Sequence, residues 1–203
     1  MTRIALLDDV MPVIRARLPS GGTRGLELFC GRGAMFTRHL AAMVDTLVGV
    51  DIDQACQEDF LAATPRGVFL QGDCVEIAGS GLLGARQFDL VSVDNPLGLF
   101  GPYCEHFELL PALPALMAPG GCLVINLVTQ PYDAGNPKLQ PWLARRAAFY
   151  GVPDPACISP EILDRFYRQR LTALGLTLRD MIILCRETDN GVPYFHSLIA
   201  STG

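Results

Sequence analysis

Along the chain, short apolar runs alternate with longer stretches in which apolar residues recur three or four positions apart. The short runs are residues 25–29, 46–50, 67–71, 88–93 and 122–128. Near-continuous hydrophobicity over so few residues is the mark of strands covered on both faces. Helical stretches between such strands return the chain to the same edge of a parallel sheet. Phe36, Leu40 and Met43 share a helical stripe, and a second helix is expected over 105–117, ending near Pro119, Gly120 and Gly121. Ser159, Pro160 and Glu161 form a helix start: a cap, a proline in the first turn and an early acid. Leu163, Tyr167, Leu171 and Leu174 then lie on one face, and Gly175 closes the helix. Residues 176–185 read as a strand, Asp189, Asn190 and Gly191 as a turn, and 194–200 as a final strand running back. The expected architecture is a doubly wound α/β domain spanning 1–203. It has a mostly parallel seven-stranded sheet with an antiparallel last strand, and helices on both faces.

One segment breaks the alternation. Residues 129–158 contain Pro131, Pro137, Pro141, Pro153 and Pro155, with a short helical stretch near 139–150. So long an excursion from the carboxyl end of a strand suggests a lid or acceptor-binding insertion, because ligands bind at that edge of open α/β sheets.

Composition narrows the class. Half of the 203 residues are hydrophobic and 18% are charged, a globular balance. The formal net charge of −5 offers no global field for a phosphate backbone, so nucleic acid is disfavoured as a partner. The uncharged stretch 109–130 is interrupted by Pro111, Pro114, Pro119 and two glycines, which excludes a continuous membrane-spanning helix there. Seven cysteines, at 30, 56, 74, 104, 122, 157 and 185, include no C-x-x-C pair, and no charged-then-apolar leader opens the chain. Free thiols in a reducing cytoplasm are expected, and no Cys/His spacing suggests a metal.

The chemistry concentrates at the first strand-to-helix junction, Leu26, Glu27, Leu28, Phe29, Cys30, Gly31, Arg32 and Gly33. Gly31 and Gly33 permit close approach of backbone to a ligand at the amide end of the following helix. Asp51 stands at the tip of the second apolar run, where a carboxylate accepts both hydroxyls of a ribose. A dinucleotide-binding G-x-G-x-x-G is absent, Phe36 occupying the third position, and neither a phosphate-binding G-x-x-x-x-G-K-[ST] loop nor a G-x-S-x-G elbow occurs.

These residues resemble the class I S-adenosylmethionine-dependent methyltransferases over nearly the whole chain. Glu27, Gly31 and Gly33 match the first motif of that family, with Phe29 where many members have a glycine. Asp51 matches the ribose-binding acid. Gln71, Gly72, Asp73 and Cys74 look like the third-strand motif, whose acid meets the adenine amino group. Phe88 and Asp89 through Asp94, Asn95 and Pro96 look like the fourth-strand motif. Residues 116–121 are similar to the turn before the fifth strand.

The resemblance implies an S-adenosylmethionine-dependent methyltransferase. Its cofactor would be held by Glu27, Phe29, Cys30, Gly31, Gly33, Asp51, Ile52, Asp73, Cys74 and Asp94. Catalysis would fall to Asp94, Asn95 and His106, with Phe100 and Tyr103 beside His106 as further candidates to line the acceptor pocket. Asn95 and Leu97 replace a proline and an aromatic of the base-methylating members, which turns the expectation from a nucleobase to a small molecule or short peptide as acceptor. Three alternatives remain. One is a base methyltransferase. Another is an aminopropyltransferase using decarboxylated S-adenosylmethionine, suggested by 93–110 but usually preceded by an extra β-domain. The third is a module that binds the cofactor without turnover. The protein is expected to be a monomer or a homodimer.

Overall fold

The structure is a computed structural model describing residues 3–33, 36–85, 87–94, 105–130, 135–186 and 195–203. Among the described residues, eight strands form one sheet: β1 (Arg3–Ala5), β2 (Arg24–Leu28), β3 (Thr46–Asp51), β4 (Gly67–Gln71), β5 (Phe88–Val93), β6 (Met117–Val128), β7 (Leu178–Arg186) and β8 (Phe195–Thr202). Their order is β1-β7-β8-β6-β5-β2-β3-β4. Only β8 runs against its neighbours, pairing antiparallel with both β6 and β7. The expected seven strands and reversed last strand are therefore present. The eighth is the three-residue β1, parallel to β7 at the edge, so the run expected as the first strand is the second.

The helices divide between two faces. Helices α1 (Leu7–Arg15), α2 (Phe36–Ala41) and α3 (Gln57–Ala63) cover one. There Ile14, Phe36, Leu40 and Phe60 meet Leu90, Val124, Leu184 and Ile199. Helices α4 (Cys74–Ser80), α5 (Glu105–Leu109), α6 (Leu113–Leu116), α7 (Gln140–Tyr150) and α8 (Pro160–Ala173) cover the other. There Ile77, Leu113, Trp142 and Tyr167 meet Leu26, Val91, Val93, Leu123 and Ile125. Successive strand residues such as Leu90 and Val91 belong to opposite clusters, which is the period-two alternation of a sheet buried on both sides.

The helix expected over 105–117 is not continuous. It is α5, a 3-10 turn (Leu110–Ala112) and α6, and the chain is already extended at Met117. Pro111 and Pro114 lie early in the last two pieces, where a missing amide is tolerated, but neither ring fits inside a longer helix. The turn at Pro119, Gly120 and Gly121 falls inside β6, beside a shift in register against β5.

The excursion between β6 and α8 is anchored at its base. The amide of Ile158 donates to the carbonyl of Thr129 over 3.0 Å. Arg146, on α7 and 1% exposed, donates to the carbonyls of Pro155, Val128 and Thr129 at 2.8, 2.5 and 3.2 Å. Its guanidinium lies 5.3 Å from the ring centres of both Trp142 and Tyr150. One face of α7 is thus part of the core. Residues 131–134 of the excursion, and the turn expected at Asp189, Asn190 and Gly191, lie outside the described residues.

Candidate active site

Strands β2 to β7 end at one edge, and the loops leaving β2, β3, β4 and β5 are tied together there. The amide of Gly31 donates to Oδ2 of Asp51 at 2.8 Å, and the amide of Asp53 donates to Oδ1 at 3.0 Å. Each carboxylate oxygen keeps acceptor capacity for a further donor. The amide of Gly72 reaches the Asp51 carbonyl at 2.9 Å, and that of Asp94 reaches the Leu28 carbonyl at 3.1 Å. Cys74 joins two of these loops: its Sγ accepts the Phe29 amide at 3.3 Å and faces the Val50 carbonyl at 3.5 Å.

The backbone of the β2 loop is unusual. Phe29 has φ +63°, the only non-glycine residue with positive φ among the described residues. It occupies the place where the resemblance expects a glycine, and a left-handed side-chain-bearing residue is strained there. Gly31 (φ +51°) and Gly33 (φ +71°) differ in their surroundings. A Cβ on Gly33 would come within 3.1 Å of both the Ala63 side chain and the Phe60 backbone. A Cβ on Gly31 would meet nothing within 4 Å, so Gly31 borders open space. Cys30 is buried behind the loop, its Sγ against Gly49, and burial first, then nearby acids, pushes its thiol far above the usual range. An inert packing thiol results.

Ile52 follows Asp51 and is 68% exposed, a large apolar side chain standing free beside the carboxylate. Asp73 caps α4, Oδ1 accepting the amides of Val75 and Glu76 at 2.8 and 3.0 Å. Both cap bonds fall on one oxygen. Glu27 is fully buried in β2; Oε1 accepts the Thr37 hydroxyl at 3.1 Å, while Oε2 is buried with no hydrogen-bond partner. Burial first, then the charge of Asp94, raises its pKa well above that of an ordinary carboxylate.

Asp94 ends β5 beside Asn126 of β6. The Asn126 Nδ2 donates to Asp94 Oδ1, and Asn126 Oδ1 accepts the Ser197 hydroxyl of β8 at 3.0 Å. Burial lifts the Asp94 carboxyl to about 6, against the opposing pull of the Asn126 amide and the Arg186 charge. Arg186, at the end of β7, is 8% exposed, with its guanidinium 5.5 Å from the Phe36 ring centre. Strand alternation puts Glu27, Ser92, Asp94, Asn126, Ser197 and Arg186 on the α1–α3 face near the carboxyl edge. A buried polar row therefore crosses five adjacent strands.

His106 is drawn elsewhere. Its Nε2 lies 3.2 Å from the Tyr167 hydroxyl, which in turn pairs with Tyr150 at 2.8 Å, among rings on the α4–α8 face. Burial, then the Arg146 charge, pushes its pKa down to about 3, so the ring is neutral. The structure thus separates His106 from the Asp94 carboxylate by the thickness of the sheet. Asn95, Phe100 and Tyr103 lie outside the described residues.

Asn126, Ser197 and Arg186 were not singled out by motif reading. Their signal lay in the sequence nonetheless: a polar residue in the middle of a run such as Leu123-Val124-Ile125-Asn126-Leu127-Val128 is costly to bury without a purpose.

No protein-family model and no curated protein matches the chain. Solved structures do. The N-methyltransferase NodS from Bradyrhizobium japonicum is similar at 18% identity and a TM-score of 0.59, over 97% of this chain and 93% of that one. An S-adenosylmethionine-dependent methyltransferase from Mesorhizobium loti is similar at 20% identity and 0.59, over 96% and 99%. The trans-methyltransferase CalH, in complex with S-adenosylhomocysteine, is similar at 20% identity and 0.64, over 96% of this chain and 55% of that one. The fold is that of the class I S-adenosylmethionine-dependent methyltransferases.

Among the described residues, no helix is long and apolar enough to cross a membrane, and no group of three or more Cys, His, Asp or Glu could hold a metal ion.

Proposed function

We propose that this protein is an S-adenosylmethionine-dependent methyltransferase acting on a small molecule or a short peptide. The observation that carries the reading is the contact of Gly31 with Asp51, which sets a ribose-type carboxylate against an open glycine loop at the carboxyl edge. NodS and CalH, methyltransferases by name, lend it support through the fold alone.

The residues present fit the cofactor. Asp51 would take the ribose hydroxyls, Ile52 would pack against the adenine, and the unused oxygen of Asp73 would meet its amino group. The unpaired Oε2 of Glu27 suits the cationic amino-acid end, which would relieve a buried acceptor. Gly31 and Gly33, with Phe29, Cys30 and Cys74 shaping the loop, would let the backbone approach closely.

When bound, the cofactor supplies a methyl group on a sulfonium, transferred by in-line displacement. The protein's part is to hold an acceptor in line and exclude water, which supplies much of the acceleration in such reactions. Asp94 would accept a hydrogen bond from the acceptor, or take its proton, at the end of β5. His106 would support the wall behind α5 and the excursion 129–158 would border the acceptor side. Calorimetry with S-adenosylmethionine, S-adenosylhomocysteine and decarboxylated S-adenosylmethionine tests the reading. Binding of the first two is expected, and binding of the decarboxylated form alone would favour aminopropyl transfer.

A further inference from the structure

A carboxylate at the end of β5 is useful only if its lone pairs point where an acceptor arrives. Three groups from three strands bear on Asp94. From β6, the Asn126 amide donates to Oδ1. From β8, the Ser197 hydroxyl, wholly buried, donates to Asn126 Oδ1 and anchors the end of the amide away from Asp94. From β7, the Arg186 charge acts on the carboxyl. On β2, Glu27 lies near enough for the Asp94 charge to raise its own pKa. Asn126 is itself 0% exposed, so this arrangement lies in a core row where leucine or valine would cost nothing to bury.

The amide has two directions, and they are not equivalent. As it stands, Asn126 presents N–H to Asp94, which suits an ionised carboxylate. Turned over, it would present oxygen, which suits only a protonated acid, and the Ser197 hydroxyl would accept from the amide instead of donating to it. Ser197, which does not touch Asp94, anchors the far end of the amide that does.

Resting on the reading of Asp94 given above, we propose that Asn126 and Ser197 are positioning residues. Asn126, anchored by Ser197, occupies Oδ1, favours the ionised carboxylate against the pull of burial, and leaves Oδ2 to accept from a nucleophile that arrives carrying N–H or O–H. The acceptor class that follows is an amine or a hydroxyl compound.

The test is the titration of the Asp94 carboxyl carbon by carbon-13 NMR, in the free protein and with S-adenosylhomocysteine as the probe. Ser197→Ala is expected to raise the Asp94 midpoint, and Asn126→Leu to raise it further, by about one pH unit or more, the size of a hydrogen bond to a charged group. Ser197→Thr, which keeps the hydroxyl, is expected to restore the wild-type midpoint. A midpoint unmoved in folded Ser197→Ala overturns the proposal, as does an equal rise in Ser197→Thr, which would mark a packing effect. Ser197→Ala removes a single oxygen, so the result does not depend on whether Asn126→Leu folds. Failure of the wild-type protein to bind S-adenosylhomocysteine would overturn the cofactor reading. The titration of the free protein would still decide the positioning.

Discussion

The amide of Gly31 and the carboxylate of Asp51 meet at 2.8 Å, joining the loop after β2 to the tip of β3. The two residues stand twenty positions apart, and the parallel pairing of β2 with β3 brings them together. Asp51→Ala removes the proposed ribose acceptor and is expected to weaken S-adenosylhomocysteine binding by about 1.5–3 kcal/mol, the range of hydrogen bonds involving a charged group. Titration calorimetry measures this directly. Unchanged affinity would remove Asp51 from the cofactor site.

The two loop glycines are expected to fail differently. Gly33→Ala combines a left-handed backbone with contacts of 3.1 Å to Ala63 and to the Phe60 backbone, so its melting temperature should fall clearly. Gly31→Ala meets open space and pays only the left-handed conformation, about 1–2 kcal/mol. It should remain folded at room temperature yet bind S-adenosylhomocysteine more weakly. If the Gly31 variant binds as well as wild type, the open space beside Gly31 is not where the cofactor lies.

Asp94 links stability to pH in a definite sense. Its folded pKa, about 6, lies above the ordinary value of 3.8, so folding favours the protonated acid. The stability it contributes is fully present below pH 4 and is lost as pH rises through 6, an effect of about 3 kcal/mol. Asp94→Asn should therefore be stabilised relative to wild type in denaturant titrations at pH 8 and much less so at pH 4.5. Turnover with a competent acceptor should fall at least about tenfold, or 1.4 kcal/mol, with cofactor affinity kept. A drop in affinity with an unchanged rate at saturation would make Asp94 part of the cofactor pocket.

Arg146 holds the base of the excursion through three backbone carbonyls. Arg146→Met leaves those carbonyls without its guanidinium and is expected to cost roughly 3 kcal/mol or more in unfolding free energy. For the same reason the amides of α7 should exchange with solvent as slowly in the free protein as with S-adenosylhomocysteine bound. Rapid exchange throughout α7 in the free protein, slowed by ligand, would show instead that the excursion swings as one piece.

The sequence by itself determined the sheet and the edge that carries its acids. Residues 67–71 and 88–93 are strands with the expected bounds, and the acids at 27, 51, 73 and 94 lie where the strand ends carry them. These features are local: burial on both faces imposes a continuous apolar run, and a strand end imposes the change to glycine and acid. Tertiary structure alone decided what met across strands. No spacing along the chain relates Asp94 to Asn126, or Asn126 to Ser197, which is seventy-one residues away; only the order β5-β6-β8 aligns them. His106 is the converse case. Twelve residues after Asp94 it reads as a neighbour in catalysis, yet α5 packs on the opposite face, where apolar burial against Tyr167 and Phe149 outweighs the ring's polarity. A strand residue's face is set by a period of two, but which face a helix joins is set by how the chain crosses the sheet.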